Sequence, residues 1–264
     1  MLTLVARSLR RIGPVCLGLA AVLTSFQLTL VAVAASYERD GSFDRLASML
    51  PAVARYAFGT AMSSFAGMTT IGFYETGIIL LVAQFAIFIG AEPAGDVDAG
   101  IVDIVYARPL PRHWLVTRTL LVLTIALLAL TLTMGAGTWI GLLMMAPPGS
   151  RWPEPRIVLT LMAHLVMVGC CFGAATLAAA GWARRRAEAQ APLALAAIAL
   201  YLIDFLGVWW RGLWPLQRFS PFHFYQGSAI LEGRANTAFD LSVLGAATAV
   251  ASAIAYWQFS RRDL

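Results

Sequence analysis

Six long apolar segments constrain this chain more than any other feature of its sequence. A helix that crosses the hydrocarbon core of a bilayer needs about 20 mostly apolar residues. The segments of that kind are residues 12–36, 73–91, 114–145, 157–182, 191–210 and 239–259. Because backbone polar groups inside the hydrocarbon must be satisfied within the segment, we predict helices and not strands. The predicted fold is a single all-α integral membrane domain over residues 1–264.

The charge content supports a membrane location. Only 12% of the residues are charged and 59% are hydrophobic, whereas a soluble domain carries about 25% charged residues. All 19 basic residues are arginine, since the sequence contains no lysine. The arginines form short, separated groups beside the apolar segments, which is typical of residues that set membrane orientation. We therefore expect the lipid bilayer as a partner and no nucleic acid.

The arginine distribution predicts which side of the membrane each connection faces. With the N-terminus inside, the groups that border the apolar segments are all cytoplasmic. This inner set is Arg7, Arg10, Arg11, Arg108, Arg112, Arg118, Arg184, Arg185, Arg186, Arg261 and Arg262. Six crossings then place both termini in the cytoplasm.

The outer connections contain candidate short helices, either re-entrant or interfacial. Residues 52–68 are moderately apolar and fit an interfacial helix or an early extension of the second span. A seventh span there would break the arginine pattern. The connection before the last span holds Pro215 and Pro221 among aromatic residues that favour the membrane interface.

A charged segment, residues 92–112, separates the second and third apolar segments. Charge at the bilayer centre costs several kcal/mol, so this segment must lie in water or against another protein. Its apolar residues recur at three- and four-residue spacing, which predicts a short amphipathic helix over residues 94–106. Pro109 and Pro111 end that helix.

The acidity of this predicted helix favours a protein over a lipid surface as its contact. Asp96, Asp98 and Asp103 lie near its start, where acidic groups suit the helix dipole. The inner leaflet of a membrane is negative and attracts basic helices instead. We predict a helix on the cytoplasmic face that docks into a soluble partner.

Glu92, Gly95 and the stretch Ala-Arg-Pro-Leu-Pro-Arg at 107–112 complete a recognisable pattern around the helix. Together they resemble the coupling-helix region of ABC-2 type transporter permeases. Ser-Pro-Phe-His-Phe-Tyr at 220–225 and the ending Arg-Arg-Asp-Leu at 261–264 are also similar to that family.

The resemblance implies a permease subunit of an ATP-driven exporter in the bacterial inner (plasma) membrane. It implies an ABC ATP-binding subunit and a second permease copy as partners, in a homodimer or a heterodimer. Accessory subunits and the substrate stay open. The implied coupling residues are Glu92, Asp96, Asp98, Ile101, Asp103, Arg108, Pro109 and Arg112.

Nucleotide chemistry is expected in a partner chain. A Walker A loop requires a lysine that contacts the nucleotide phosphates, and this sequence has none. We therefore expect no catalytic residue and no cofactor here, with ATP and magnesium bound by the partner. No Cys/His spacing predicts a metal site; Cys16, Cys170 and Cys171 are expected to be small core residues.

Two other functions compete with the exporter. One is a non-transporting scaffold that still recruits an ATPase. The other is a membrane phosphotransferase, because Asp96, Asp98 and Asp103 superficially resemble the Asp-rich motif of CDP-alcohol phosphotransferases. Their spacing differs from that motif, and the next acidic residue, Glu154, is predicted to lie across the membrane.

Three ionisable residues lie within the predicted spans, where such residues are functional candidates. Asp204 is expected either to line a pathway or to form a salt bridge with Arg211 or Arg156. His164 either belongs to a pathway or bonds a neighbouring helix. Glu75 either lines a pathway or lies at the membrane interface.

Overall fold

The computed structural model describes residues 2–43, 45, 62–99, 113–207 and 209–261. Within these ranges the regular structure is helical, without strands. Six helical segments are long and apolar enough to cross a membrane, which indicates a multi-pass membrane protein. The predicted all-α character, with six helical segments of membrane-crossing length, is thus confirmed for the described chain.

The described residues form ten α-helices. In chain order they are α1 (Leu2–Arg39), α2 (Phe65–Tyr74), α3 (Thr76–Gly90), α4 (Glu92–Asp98), α5 (His113–Met145), α6 (Pro155–Ala180), α7 (Arg186–Gly207), α8 (Trp214–Gln217), α9 (Gly227–Leu231) and α10 (Thr237–Arg261). Short 3-10 turns at Arg211–Leu213 and Pro221–Phe224 flank α8. Short helices are therefore present in the connection before the last span, as predicted.

The first helix is longer than its predicted span, residues 12–36. Its 38 residues correspond to a length of about 57 Å at 1.5 Å per residue. The hydrocarbon core is only about 30 Å thick, so α1 extends beyond it. The added first turns carry Arg7, Arg10 and Arg11, which a search for apolar segments excludes but which a helix accommodates well.

The second span consists of two helices, α2 and α3, that meet at Glu75. It begins at Phe65, earlier than the predicted residue 73, so residues 65–68 extend the span. Residues 52–61 lie outside the described chain. Glu75 adopts an extended backbone, with φ −62° and ψ 135°, and its carboxylate Oε2 accepts a hydrogen bond from the Ile78 amide at 3.1 Å. The residue thus caps α3 within the span.

Helix α6 packs against α3, α5 and α10. Its small residues allow this close packing. A Cβ atom at Gly90 of α3 would lie 2.3 Å from the Gly173 carbonyl oxygen, and one at Gly173 would lie 2.5 Å from Leu123 of α5. The absence of a side chain at Gly173 therefore lets α6 approach both α3 and α5 closely.

Polar side-chain contacts join neighbouring helices at one end of the bundle. Arg11 of α1 contacts Asp96 of α4, and the hydroxyls of Thr117 on α5 and Tyr256 on α10 lie 2.7 Å apart. We call this the basal end. At the opposite end, Arg39 Nη2 donates to the Met145 carbonyl at 3.0 Å.

Candidate functional site

A buried carboxylate joins three helices at the basal end. Asp96 Oδ2 accepts from Arg118 Nη2 at 2.7 Å, and Asp96 Oδ1 accepts from Arg11 Nη1 at 3.0 Å. The side chains of Asp96 and Arg118 are 9% and 8% exposed, whereas Arg11 is 46% exposed. Asp96 therefore ties α4 to both α1 and α5. We call Arg11, Asp96 and Arg118 the basal ion cluster.

The local sequence explains why this carboxylate points inward. Helix α4 begins directly after α3 with Glu92 and Pro93, and proline suits the first helical turn because it needs no amide donor. Glu92 and Asp96 are four residues apart and therefore share one helix face. Both residues are buried, whereas Asp98 is exposed.

Glu92 adds a second buried carboxylate beside the cluster. It is 3% exposed, and its Oε2 has no hydrogen-bond partner among the described residues. Arg118 likewise has a buried Nε without an acceptor. A cavity of about 250 Å³ opens at this position, and Glu92, Asp96 and Arg118 contribute to its lining. The site thus combines paired charges with unused hydrogen-bonding atoms.

Arg186, the first residue of α7, fixes the junction of α3 and α4 from another side. Its Nη2 donates to the Phe88 carbonyl at 2.8 Å, and its guanidinium lies 4.0 Å from the centre of the Phe88 ring. A Cβ atom at Gly95 would lie 3.3 Å from Arg186 Cδ. The absence of a side chain at Gly95 lets α4 pack closely against this arginine.

The predicted coupling residues divide into distinct groups. Glu92 and Asp96 face the interior, and Asp98 faces outward. The described helix over Glu92–Asp98 begins slightly before the predicted helix at 94–106. The remaining predicted coupling residues lie outside the described residues: Ile101, Asp103, Arg108, Pro109 and Arg112.

His164, in α6, is completely buried. Its Nδ1 donates to the Thr160 carbonyl of its own helix at 2.8 Å, so the expected hydrogen bond to a neighbouring helix is wrong for this nitrogen. Its Nε2 has no hydrogen-bond partner in the part of the chain that the structure describes. The ring stacks on Tyr225 with 5.7 Å between centroids.

Tyr225 connects the short outer segments to two spans. Its hydroxyl lies 2.7 Å from the Phe73 carbonyl and 3.1 Å from the Leu161 carbonyl, and these two acceptors share its single proton. Burial raises the pKa of this phenol well above its ordinary value, so the hydroxyl stays a donor. Sequence reasoning placed Tyr225 at the membrane interface and missed this contact, because the two carbonyls are far away along the chain.

Asp204 lies beside His223 and not within a tight ion pair. Its Oδ1 is 3.5 Å from His223 Nδ1, and neither atom has a hydrogen-bond partner within the described ranges. The sequence predicted an arginine as the partner of Asp204, whereas the structure places this histidine beside it. Gln217 Nε2 donates to the Asp204 backbone carbonyl at 3.1 Å, which attaches α8 to the end of α7.

Metal-binding clusters and known relatives give no further assignment. Among the described residues, no group of three or more His, Cys, Asp or Glu side chains is placed to hold a metal ion. Comparisons with protein-family models, curated proteins and solved structures found no match. The basal ion cluster is therefore the candidate site on geometric grounds. Sequence reasoning identified its acidic member but missed the roles of Arg11 and Arg118, and of the neighbouring Arg186, which it assigned only to membrane orientation.

Proposed function

We propose that this chain is the membrane-spanning permease subunit of an ATP-driven ABC exporter. Six helical segments of membrane-crossing length support the proposal in general terms. The observation that carries it is Asp96, which attaches the short helix after the second span to two spanning helices at once. A partner that moves this helix would move α1 and α5 with it.

In this proposal the charged segment has an inner and an outer part. Asp96 anchors α4 to the spans, whereas Asp98 and the segment that follows it, residues 99–112, receive the partner. The sequence alone had predicted that the acidic residues of this segment face the partner. The exposure of Asp98 and the burial of Asp96 favour the division.

The energy source is proposed to be ATP bound by a separate chain. These 264 residues contain no lysine, and a Walker A loop requires one. ATP and magnesium would be held by an ABC ATP-binding subunit at the basal end. We place that end and both termini in the cytoplasm, because Arg7, Arg10, Arg184, Arg185 and Arg261 lie there.

A second permease copy would complete the membrane domain. Helices α1, α7 and α10 leave most of their apolar surface uncovered in one chain. Examples of exposed side chains are Leu17 at 73% and Leu195 at 67%. Lipid and a second copy would share these surfaces.

Copurification tests the proposal. The tagged chain is extracted from its native membrane, and mass spectrometry identifies retained proteins. We expect a chain with a Walker A loop. The double variant Arg108→Glu/Arg112→Glu should lose it, whereas Arg184→Glu/Arg185→Glu, at exposed arginines of another basal turn, should retain it. Retention by both double variants would reject the coupling role of this segment.

Transport by the reconstituted complex separates the exporter from the scaffold. We expect ATP hydrolysis to depend on the permease and to move a substrate into sealed vesicles. A complex that hydrolyses ATP without moving any compound from a broad panel would instead favour the scaffold. Metal-dependent phosphotransferase activity of the isolated chain, lost in Asp98→Ala, would favour the enzyme.

A further inference from the structure

The cavity beside the basal ion cluster has a lining of mixed charge. One face of α1 contributes Arg7 and Arg11, and α5 contributes Arg118. Helix α4 contributes Glu92 and Asp96. Asp96 already pairs with two of the arginines. This leaves Arg7 and Glu92 as the charges of opposite sign that are without an ion-pair partner among the described residues.

This distribution of charge excludes simple ions as good ligands. A metal cation would lie beside three arginines, which would repel it. A simple anion bound by Arg7 would leave the buried carboxylate of Glu92 without a counter-charge. A ligand with one negative and one positive group, held a few bonds apart, satisfies both Arg7 and Glu92.

The position of the cavity indicates a lipid as the source of that ligand. Its α1 face lies in the basal turns of a membrane-spanning helix, and Leu4 supplies an apolar part of the lining. Phospholipid headgroups lie at this level of a bilayer. A volume of about 250 Å³ is sufficient for a headgroup but not for acyl chains, which would remain in the surrounding membrane.

We propose that this cavity binds the phosphoethanolamine headgroup of a phospholipid. The phosphate receives hydrogen bonds from Arg7, with Arg11 beside it, and the primary ammonium donates to Glu92. A choline headgroup fits less well because its quaternary ammonium has no N–H to donate to the carboxylate. A glycerol headgroup lacks the positive charge. The proposal is independent of the exporter function.

Native mass spectrometry of the detergent-purified full chain tests the proposal with added dioleoyl lipids. We expect phosphatidylethanolamine to bind about tenfold more tightly than phosphatidylcholine or phosphatidylglycerol, because one charge-assisted hydrogen bond contributes a difference in affinity of this size. Glu92→Gln should remove this preference. Equal binding of the three lipids by the unaltered chain would overturn the proposal.

An arginine pair supplies a control that does not depend on a buried residue. Arg7 and Arg10 are both exposed on α1, but only Arg7 lines the cavity. Arg7→Gln should weaken phosphatidylethanolamine binding by about tenfold, and Arg10→Gln should leave it unchanged. Equal effects of the two variants would overturn the site, because they would indicate only a general attraction of basic residues to lipid.

A soluble competitor distinguishes the membrane lipid from a free ester. Glycerophosphoethanolamine carries the same headgroup without acyl chains. We expect it to displace the lipid only at millimolar concentration. Tight binding of this ester, together with no binding of the diacyl lipid, would overturn the lipid as the ligand.

Discussion

Arg118 and Asp96 form a buried ion pair, with 2.7 Å between Nη2 and Oδ2. They lie on different helices, and their side chains are 8% and 9% exposed. Removal of one partner strongly lowers the stability of the protein, because the other charge then stays buried without a counter-charge. The pair therefore determines how firmly α4 is attached to the spans.

Loss of the Asp96 charge should destabilise the protein. We expect Asp96→Asn to lower the free energy of unfolding by about 3–5 kcal/mol, because Arg118 would stay buried without a counter-charge. Unfolding in detergent, followed by circular dichroism, measures the change. Asp98→Asn is the matched control on the same helix and should have little effect, because Asp98 is exposed. Adding Arg118→Gln to Asp96→Asn should recover part of the loss; no recovery would contradict the pairing.

The close approach of α3 and α6 should make Gly90 intolerant of a side chain. A Cβ atom there would lie 2.3 Å from the backbone oxygen of Gly173, so Gly90→Ala should cost about 1–3 kcal/mol through displacement of the helices. Gly13→Ala in α1 is the control, because no atom lies within 4 Å of the added Cβ. Thermal stability in the same detergent compares the variants. Similar melting temperatures for both would contradict the packing.

The hydroxyl of Tyr225 should contribute measurably to the attachment of the outer segments. Tyr225→Phe removes the donor to the Phe73 carbonyl, which we expect to cost about 0.5–1.5 kcal/mol. Tyr37→Phe removes a hydroxyl without a hydrogen bond in the described structure and should be neutral. Hydrogen exchange of the short helices α8 and α9 provides a local readout. Unchanged exchange rates in Tyr225→Phe would show that the hydroxyl does not hold these segments.

The proposed membrane orientation can be tested with single cysteines. In a background with Cys16, Cys170 and Cys171 changed to alanine, Asp98→Cys should react with an impermeant maleimide only from the cytoplasmic side. Gly149→Cys, in the turn between α5 and α6, should react only from the outside. Right-side-out and inverted vesicles provide the two measurements. Reaction of Asp98→Cys from outside would reverse the assignment of the basal end.

Apolar length was sufficient to predict the six spans, because only a helix of that length satisfies the backbone in a bilayer. The ends of α1 were missed, since helical backbone continues through arginines that a hydropathy pattern excludes. The inward direction of Asp96 was also missed. The sequence does not distinguish Asp96 from the exposed Asp98. Asp96 is buried because helices distant in sequence bring Arg11 and Arg118 against it. Non-local contacts of this kind have no local sequence signal.

Glu75 caps α3 inside the second span, so that this span consists of two helical segments and not one continuous helix. An interruption of a helix in hydrocarbon normally leaves amides without partners, at a cost of several kcal/mol per group. Here the side chain of Glu75 supplies the Ile78 amide, and the Glu75 amide bonds to the Ile71 carbonyl at 2.8 Å. The break between α2 and α3 therefore keeps partners for these two amides, and α3 leads directly into α4.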